Sequence, residues 1–332
     1  MSTVDDTVRF DLARHAVREF GENPSAFLAL NSGNEYFTAA GHTGVIAYRT
    51  AGRYLVQFGG VLAAPEDQEP LLRAFLAHAG AHKRKVVSIQ LQPADVETYV
   101  RAGCTINQVG ASYSLELSGF SLRGTKFMKL RNKIAKARRS GVEVAEVPYE
   151  QHRDDLKTID GQWLRSKGRH VKEIEFLVGE CGGAVQEDRR LFLATIGGEP
   201  IAYVSYSPAF GSRSGWLHDL SRRVPTVPPG VMELVNSVAI ERFREEGAAW
   251  LHFGFTPFTG LSPDLRTSTA SPFTDRLMRL LATHGDAVYP AASQLAYKEK
   301  WGPQLVVPEY LAFHGKASLG AVWQILRITR SV

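Results

Sequence analysis

Seven cations, Lys126, Lys129, Arg131, Lys133, Lys136, Arg138 and Arg139, fall within fourteen positions that hold no acidic residue. Such a run is suited to a polyanion, because each ammonium or guanidinium can neutralise one phosphate. The same segment carries Phe127, Leu130, Ile134 and Ala137 at helical spacing and ends at Gly141, so it reads as a helix with one apolar stripe and cationic faces elsewhere. A solvated charged helix is the competing reading. It normally mixes signs at i,i+4, whereas here every charged pair at that spacing is repulsive. A second set of ionisable residues, Asp219, Arg222, Lys298 and Lys300, offers one carboxylate and three cations for acid–base or electrostatic work.

Other constellations are weaker. His78 and His82 stand four apart on a predicted helix, but the glutamate of HExxH is missing and no third ligand is evident, so they read as surface histidines and no metal is expected. His218 and Asp219 are neighbours on a predicted strand, so their side chains point to opposite faces and cannot form a dyad. GxGxxG, GxxxxGK and a nucleophile elbow are absent. Nucleotide hydrolysis and zinc proteolysis lose their support accordingly.

The elements that must position these residues alternate between the two periodicities. Val45 to Tyr48 and Tyr54 to Phe58 read as strands joined at the Gly52 turn, followed by a helix from Glu66 to His82 and a strand from Val86 to Leu91. A short helix from Ala94 to Ala102, stopped by Gly103, precedes a strand from Ala111 to Leu117. Beyond the basic segment come a helix from Gln151 to Ser166 and strands near Leu191 to Thr195, Pro200 to Ser207 and Gly215 to Leu220. A helix from Val231 to Glu246, a strand from Trp250 to Phe253, a helix from Phe273 to Thr283, a segment Gln294 to Trp301 and a strand near Leu305 to Phe313 complete the pattern. This order predicts an α/β (α+β) chain of two domains, 1–121 and 142–332, joined by the basic helix at 122–141.

Composition fits a globular protein, with 332 residues that are 44% hydrophobic and 22% charged. Its net charge is +5, so outside the basic segment the chain carries about −2 and the basicity is local. Two cysteines, Cys104 and Cys181, without CxxC spacing or a signal peptide, suggest a reducing cytoplasm. No apolar run approaches the roughly 20 residues of a membrane span. The stretch Leu319 to Ile328 reads as a helix packed on the body, with a peripheral membrane contact as the alternative.

From the basic helix onward the sequence resembles the catalytic domain of the lysyl- and alanyl-phosphatidylglycerol synthases, the multiple peptide resistance factor family. The matching blocks are LRNKIAKARRSG at 130–141, WL at 163–164, EFLVG at 175–179, and DLSRR followed by PPGVMELV within 219–235. FGFTPF at 253–258 and LAYKEKWGP with PEYL within 295–311 follow in the same order, and YFTAAGHTGVIAYRTAGRYLVQFGG at 36–60 is similar to the family's first domain. The resemblance implies two GNAT-like folds in tandem joined by the basic helix. It also implies an aminoacyl-tRNA donor with no further cofactor, and transfer to a hydroxyl or amine on a soluble small molecule, a natural-product intermediate, or phosphatidylglycerol. No obligate protein partner is expected. Two departures stand out: the multi-span flippase region of the lipid synthases is missing, and Glu233 stands where the lipid enzymes usually have aspartate.

An aminoacyl ester is already activated, so direct attack by the acceptor needs no covalent enzyme intermediate. Asp219, placed at the end of a predicted central strand, is then a base or the site of the donor's α-ammonium group. Lys298, Lys300 and Arg222 would supply positive charge for the oxyanion or the terminal phosphates, unless the lysines are surface cations paired with Glu299 or Glu309. Glu233, Phe255 and Tyr297 are candidate pocket residues, and the seven cations of the helix are the candidate tRNA contacts. Two other readings remain open, an acyl-CoA-dependent N-acyltransferase and a non-catalytic RNA-binding protein. Against the first, the turn from Arg222 to Gly230 contains Pro225, Pro228 and Pro229, which lack the N–H groups that cradle a pyrophosphate.

Overall fold

The computed structural model describes residues 3–167, 175–284 and 291–330. In chain order its strands are β1 (Glu35–Phe37), β2 (Ile46–Ala51), β3 (Tyr54–Phe58), β4 (Lys85–Leu91), β5 (Cys104–Glu116), β6 (Val142–Val147), β7 (Arg190–Ile196), β8 (Glu199–Ala209), β9 (Gly215–Arg223), β10 (Trp250–Pro257) and β11 (Leu305–His314). The helices are α1 (Thr3–Phe20), α2 (Pro65–Ala81), α3 (Pro93–Arg101), α4 (Met128–Arg139), α5 (Tyr149–Lys167), α6 (Val231–Glu245), α7 (Pro272–His284), α8 (Ala291–Glu299) and α9 (Leu319–Ile328). Local chemistry accounts for many of their ends. α2 starts with Pro65 and carries Glu66 and Asp67 in its first turn, where the helix dipole favours anions. The Gln92 N–H donates to Asp95 Oδ2 at 2.8 Å and caps α3, and α4 stops before Gly141, whose φ of +78° suits a residue without Cβ.

The described strands form one sheet in the order β1-β2-β3-β4-β11-β5-β10-β9-β8-β7-β6. Most neighbours are antiparallel, but β3 pairs parallel with β4 and β9 parallel with β10, each pair bridged by a crossover helix, α2 and α6 respectively. The centre is interleaved. β11, from the C-terminal part of the chain, lies between β4 and β5, while β5 lies between β11 and β10. Residues 305–328, assigned by the sequence to the unit 142–332, therefore pack within the N-terminal strands, and Ala321 and Ile325 of α9 join the core formed with Val56, Phe58 and Val87.

Both faces of the sheet are covered. Leu71, Leu72, Phe75 and Leu76 of α2 pack with Tyr99 of α3 against Val86, Leu91 and Ile106, while α1 and α9 close the opposite face. On the other half, Leu130, Ile134 and Ala137 of α4 join Val231, Leu234 and Val235 of α6 over Phe192, Val204 and Leu251. Leu156 and Ile159 of α5 cover Leu191, Leu193 and Leu220 from behind. The stripe expected on the basic segment is thus its docking face. α9 leaves Leu319 and Trp323 more than half exposed, and among the described residues no helix is long and apolar enough to cross a membrane.

Candidate functional site

The site arises where two parallel strands part. β9 pairs with β10 only from Gly215 to Leu217, against Trp250 to His252, and then continues beside β8 as far as Arg223. β10 instead follows β5, with a bulge between His252 and Gly254, where Gly254 adopts φ +68°. A cleft of about 880 Å³ opens between the diverging strands, roofed by the first turn of α6 and by α8. Asp219, Arg222, Glu233, Phe255, Tyr297 and Lys298, expected from the sequence at one site, all line it, and so does Lys133.

Asp219 sits in the middle of β9 rather than at its end, because the strand runs on to Arg223. Its Oδ2 accepts from Arg189 Nε at 3.3 Å, with both side chains wholly buried, while Oδ1 has no hydrogen-bond partner. Arg189 is held by Asn31, whose Oδ1 accepts from Nη2 at 2.7 Å. Burial lifts the Asp219 carboxyl above the ordinary carboxylate range, with Arg189 opposing the rise. Arg222 lays its guanidinium 4.1 Å from the centroid of the Trp163 ring and lies 3.9 Å from Asp160.

Lys298 is no surface cation, being 6% exposed, with Nζ donating to the carbonyls of Gly254 at 2.7 Å and Phe255 at 3.0 Å. Burial lowers its ammonium to about 7, opposed by the charge of Glu309. Glu309, fully buried on β11 and bonded by Ser112, is pushed up to about 7 by the same desolvation. Lys300 pairs with neither Glu299 nor Glu309. Its Nζ lies 2.8 Å from Glu233 Oε1 and 4.3 Å from the centroid of the Tyr297 ring. Lys133 reaches the same Glu233 oxygen at 3.4 Å. Burial alone would raise the Glu233 carboxyl, but Lys300 and Lys133 outweigh it and hold it below its usual range.

The remaining cations of the basic segment stay outside the cleft. Lys126, Lys129, Arg131, Lys136, Arg138 and Arg139 are exposed. Arg131 caps the preceding loop through donation from Nη1 to the carbonyls of Leu122 and Gly124. The repulsion along the helix is thus partly relieved from within, by Glu233 and by carbonyl oxygens. Gly230 brings α6 against α4, since a Cβ there would lie 2.1 Å from the Lys133 carbonyl oxygen.

Sequence reasoning did not single out Arg189, Glu309, Trp163 or His218 as site groups. His218 and Asp219 diverge as expected for strand neighbours, with the imidazole packed against Tyr206 and Tyr297 and held neutral down to about 4 by burial and by Lys298. The His78 ring packs at a tilt against those of His82 and Phe37. Among the described residues no cluster of three metal-ligating side chains occurs.

A family model described as phosphatidylglycerol lysyltransferase, C-terminal, matches residues 14–313. The phosphatidylglycerol lysyltransferase of Staphylococcus aureus (strain COL) is 22% identical over 324 residues, covering 95% of this chain but 37% of that protein. The chain thus spans a little over a third of that relative's length. Among solved structures, the C-terminal domain of a candidate lysylphosphatidylglycerol synthetase from Agrobacterium fabrum superposes with a TM-score of 0.80 at 20% identity, covering 98% of this chain and 99% of that one. L-PGS from Bacillus licheniformis gives 0.77 at 21% identity, with 96% and 95% covered. These likenesses establish the mixed α/β fold expected from the sequence.

Proposed function

The chain belongs to the phosphatidylglycerol lysyltransferase C-terminal family, and from that premise we propose that it transfers an aminoacyl group from aminoacyl-tRNA to a hydroxyl or amine acceptor. The observation that carries this reading is the junction of two surfaces at Lys133. The exposed cationic flank of α4 leads through that residue into a cleft whose interior holds Asp219, Arg222 and Lys298. In this reading α4 tracks the tRNA backbone and the esterified 3′ end enters the cleft. The donor's α-ammonium group pairs with the carboxylate of Asp219, a cleft-lining residue whose buried Oδ1 makes no hydrogen bond, and Arg222 and Lys300 supply positive charge for developing or terminal negative charge. Glu233 fixes Lys133 and Lys300 relative to each other, while Phe255 and Tyr297 form the walls.

The two crossover units β3-α2-β4 and β9-α6-β10 support a description as two GNAT-like halves joined by α4, with their inner strands exchanged. The acceptor in this proposal is a cytoplasmic small molecule, such as a natural-product intermediate, or the headgroup of phosphatidylglycerol met at a membrane surface. The test is an assay with each of the twenty labelled aminoacyl-tRNAs, in extract with and without the protein, scored for deacylation and for a labelled product. Enzyme-dependent transfer from one or a few of them is expected. Inertness toward all twenty, or tRNA binding without transfer, would leave a binding protein instead.

A further inference from the structure

Lys298 has an unusual setting for a cation. Its side chain leaves α8 and ends against two backbone carbonyls, those of Gly254 and Phe255, with Nζ 5.7 Å from the centroid of the Tyr113 ring. Both carbonyls belong to the turned portion of β10, beyond the last residue that pairs with β9, and the positive φ of Gly254 fixes their direction. An ammonium has three N–H bonds, whereas a neutral amine has two and a lone pair. With two hydrogens directed at two carbonyls, one tetrahedral position is left, on a side chain that lines the cleft. Both protonation states keep the same pair of hydrogen bonds, so a proton can come and go without moving the nitrogen.

We infer that Lys298 is the general base of the transfer, its neutral amine taking the proton of the acceptor's attacking hydroxyl or amine. This rests on the aminoacyl-transfer reading above and specifies one role within it. The acceptor oxygen or nitrogen bonds to the ester carbonyl carbon as its proton passes to Lys298 Nζ. The tetrahedral intermediate then collapses with cleavage of the bond to the terminal ribose oxygen, which takes the proton back from Nζ. The amine is regenerated, and the products are the aminoacylated acceptor and a free ribose hydroxyl.

The surroundings suit the role. Burial brings Lys298 to about 7, where a base has both a usable neutral fraction and affinity for the proton. The groups facing it are Glu309 on β11, which favours the charged form, His218 on β9, which stays neutral, and Tyr113 on β5, with Tyr297, Glu299 and Lys300 nearby on its own segment. Glu309 is a positioning residue in this scheme, because its charge adjusts Lys298 without reaching the substrate.

A cation serving the oxyanion and an amine serving as base give opposite pH dependences, which makes the test decisive. Single-turnover transfer is measured between about pH 5.5 and about 8.5, corrected for spontaneous ester hydrolysis. The wild-type rate should rise with pH around a midpoint near 7 and then level off. Lys298→Arg keeps the charge but cannot lose its proton, and it should fall by about 100-fold or more. Glu309→Gln should move the midpoint to lower pH. A second readout needs no variant to fold: trace acetylation of wild-type Lys298, followed by mass spectrometry, should show half-maximal reactivity near pH 7. A wild-type rate that falls as pH rises, an active Lys298→Arg, or labelling that titrates like an ordinary lysine would overturn the base and leave the transferase reading standing. Absence of transfer from every aminoacyl-tRNA would overturn both.

Discussion

Replacing Lys129 and Lys136 together with glutamine isolates the electrostatic work of α4. These residues and Lys133 each precede a buried residue of the docking stripe, Leu130, Ile134 or Ala137, so they form a row along one exposed flank. Lys133 is left alone because it lies 3.4 Å from Glu233, and its loss would disturb the cleft as well. Arg131 is left alone because it holds the Leu122 and Gly124 carbonyls. Seven helical residues at 1.5 Å each separate Lys129 from Lys136 by about 10 Å, so the two can meet different phosphates. Each phosphate neutralised contributes about 0.7 to 0.9 to the slope of log affinity against log salt, so the double variant should be flatter by about 1.4 to 1.8. At about 0.15 M salt that corresponds to tRNA binding about 15- to 30-fold weaker, or about 2 kcal/mol. Fluorescence anisotropy with labelled tRNA across a potassium chloride series measures both quantities. An unchanged slope with an intact circular dichroism spectrum would refute the reasoning, leaving α4 as a solvated helix.

Three further outcomes are expected. Acetyl-CoA should show no saturable heat in calorimetry at millimolar concentration, because Pro225, Pro228 and Pro229 lack amides and the Glu233 carboxylate already occupies the first turn of α6; a defined isotherm would count against this. His252 is buried, its Nδ1 2.8 Å from Ser114 Oγ and its Nε2 2.9 Å from the Arg213 carbonyl oxygen, and burial depresses it from 6.5 to about 4. The unfolded chain therefore binds the extra proton first, so this contribution is full above pH 6.5 and is lost as pH falls toward 4. His252→Gln should lessen the acid loss by roughly 3 kcal/mol in urea titrations at the two pH values, and parallel losses in both proteins would contradict it. Gly230→Ala should lower the melting temperature more than Gly141→Ala. Both glycines have positive φ, worth roughly 1–2 kcal/mol of strain, but only at 230 would the new Cβ strike backbone, the Lys133 carbonyl oxygen at 2.1 Å. Equal shifts would mean that α4 and α6 move apart freely.

Local pattern carried much of the fold. The β2-β3 hairpin at Gly52, the Pro-started α2 and the apolar stripe of α4 are set by residues a few positions apart, and each lies where periodicity places it. α1 and β1 lack such a signal: α1 intersperses charges such as Asp11, Arg14 and Arg18 among its apolar residues, and β1 spans three residues. The central strand order depends on contacts some two hundred residues apart, and no local period encodes it. At the site, motif order gathered Asp219, Arg222, Glu233 and Lys298, yet the burial of Lys298 and the attachment of Lys300 to Glu233 follow from the splay of β9 and β10. Glu309 did leave a signal. It is a charge inside a strand flanked by Val306, Val307, Tyr310 and Leu311, where an ionisable group needs a partner or a purpose. Arg189 left none, since it lies between periodic segments.

The placement of β11 between β4 and β5 also dictates an order of assembly on the ribosome. β4 and β5 emerge early, but the strand that separates them is synthesised about two hundred residues later. Until then the inner edges of both strands present unpaired backbone N–H and C=O groups, the feature that invites pairing with a foreign chain. The N-terminal strands cannot close as an autonomous unit during translation, and the entropy of bringing residue 310 back to residue 91 must be met before either half gains its full core. A nascent chain stalled before Leu305 would therefore lack the middle of its sheet rather than its end.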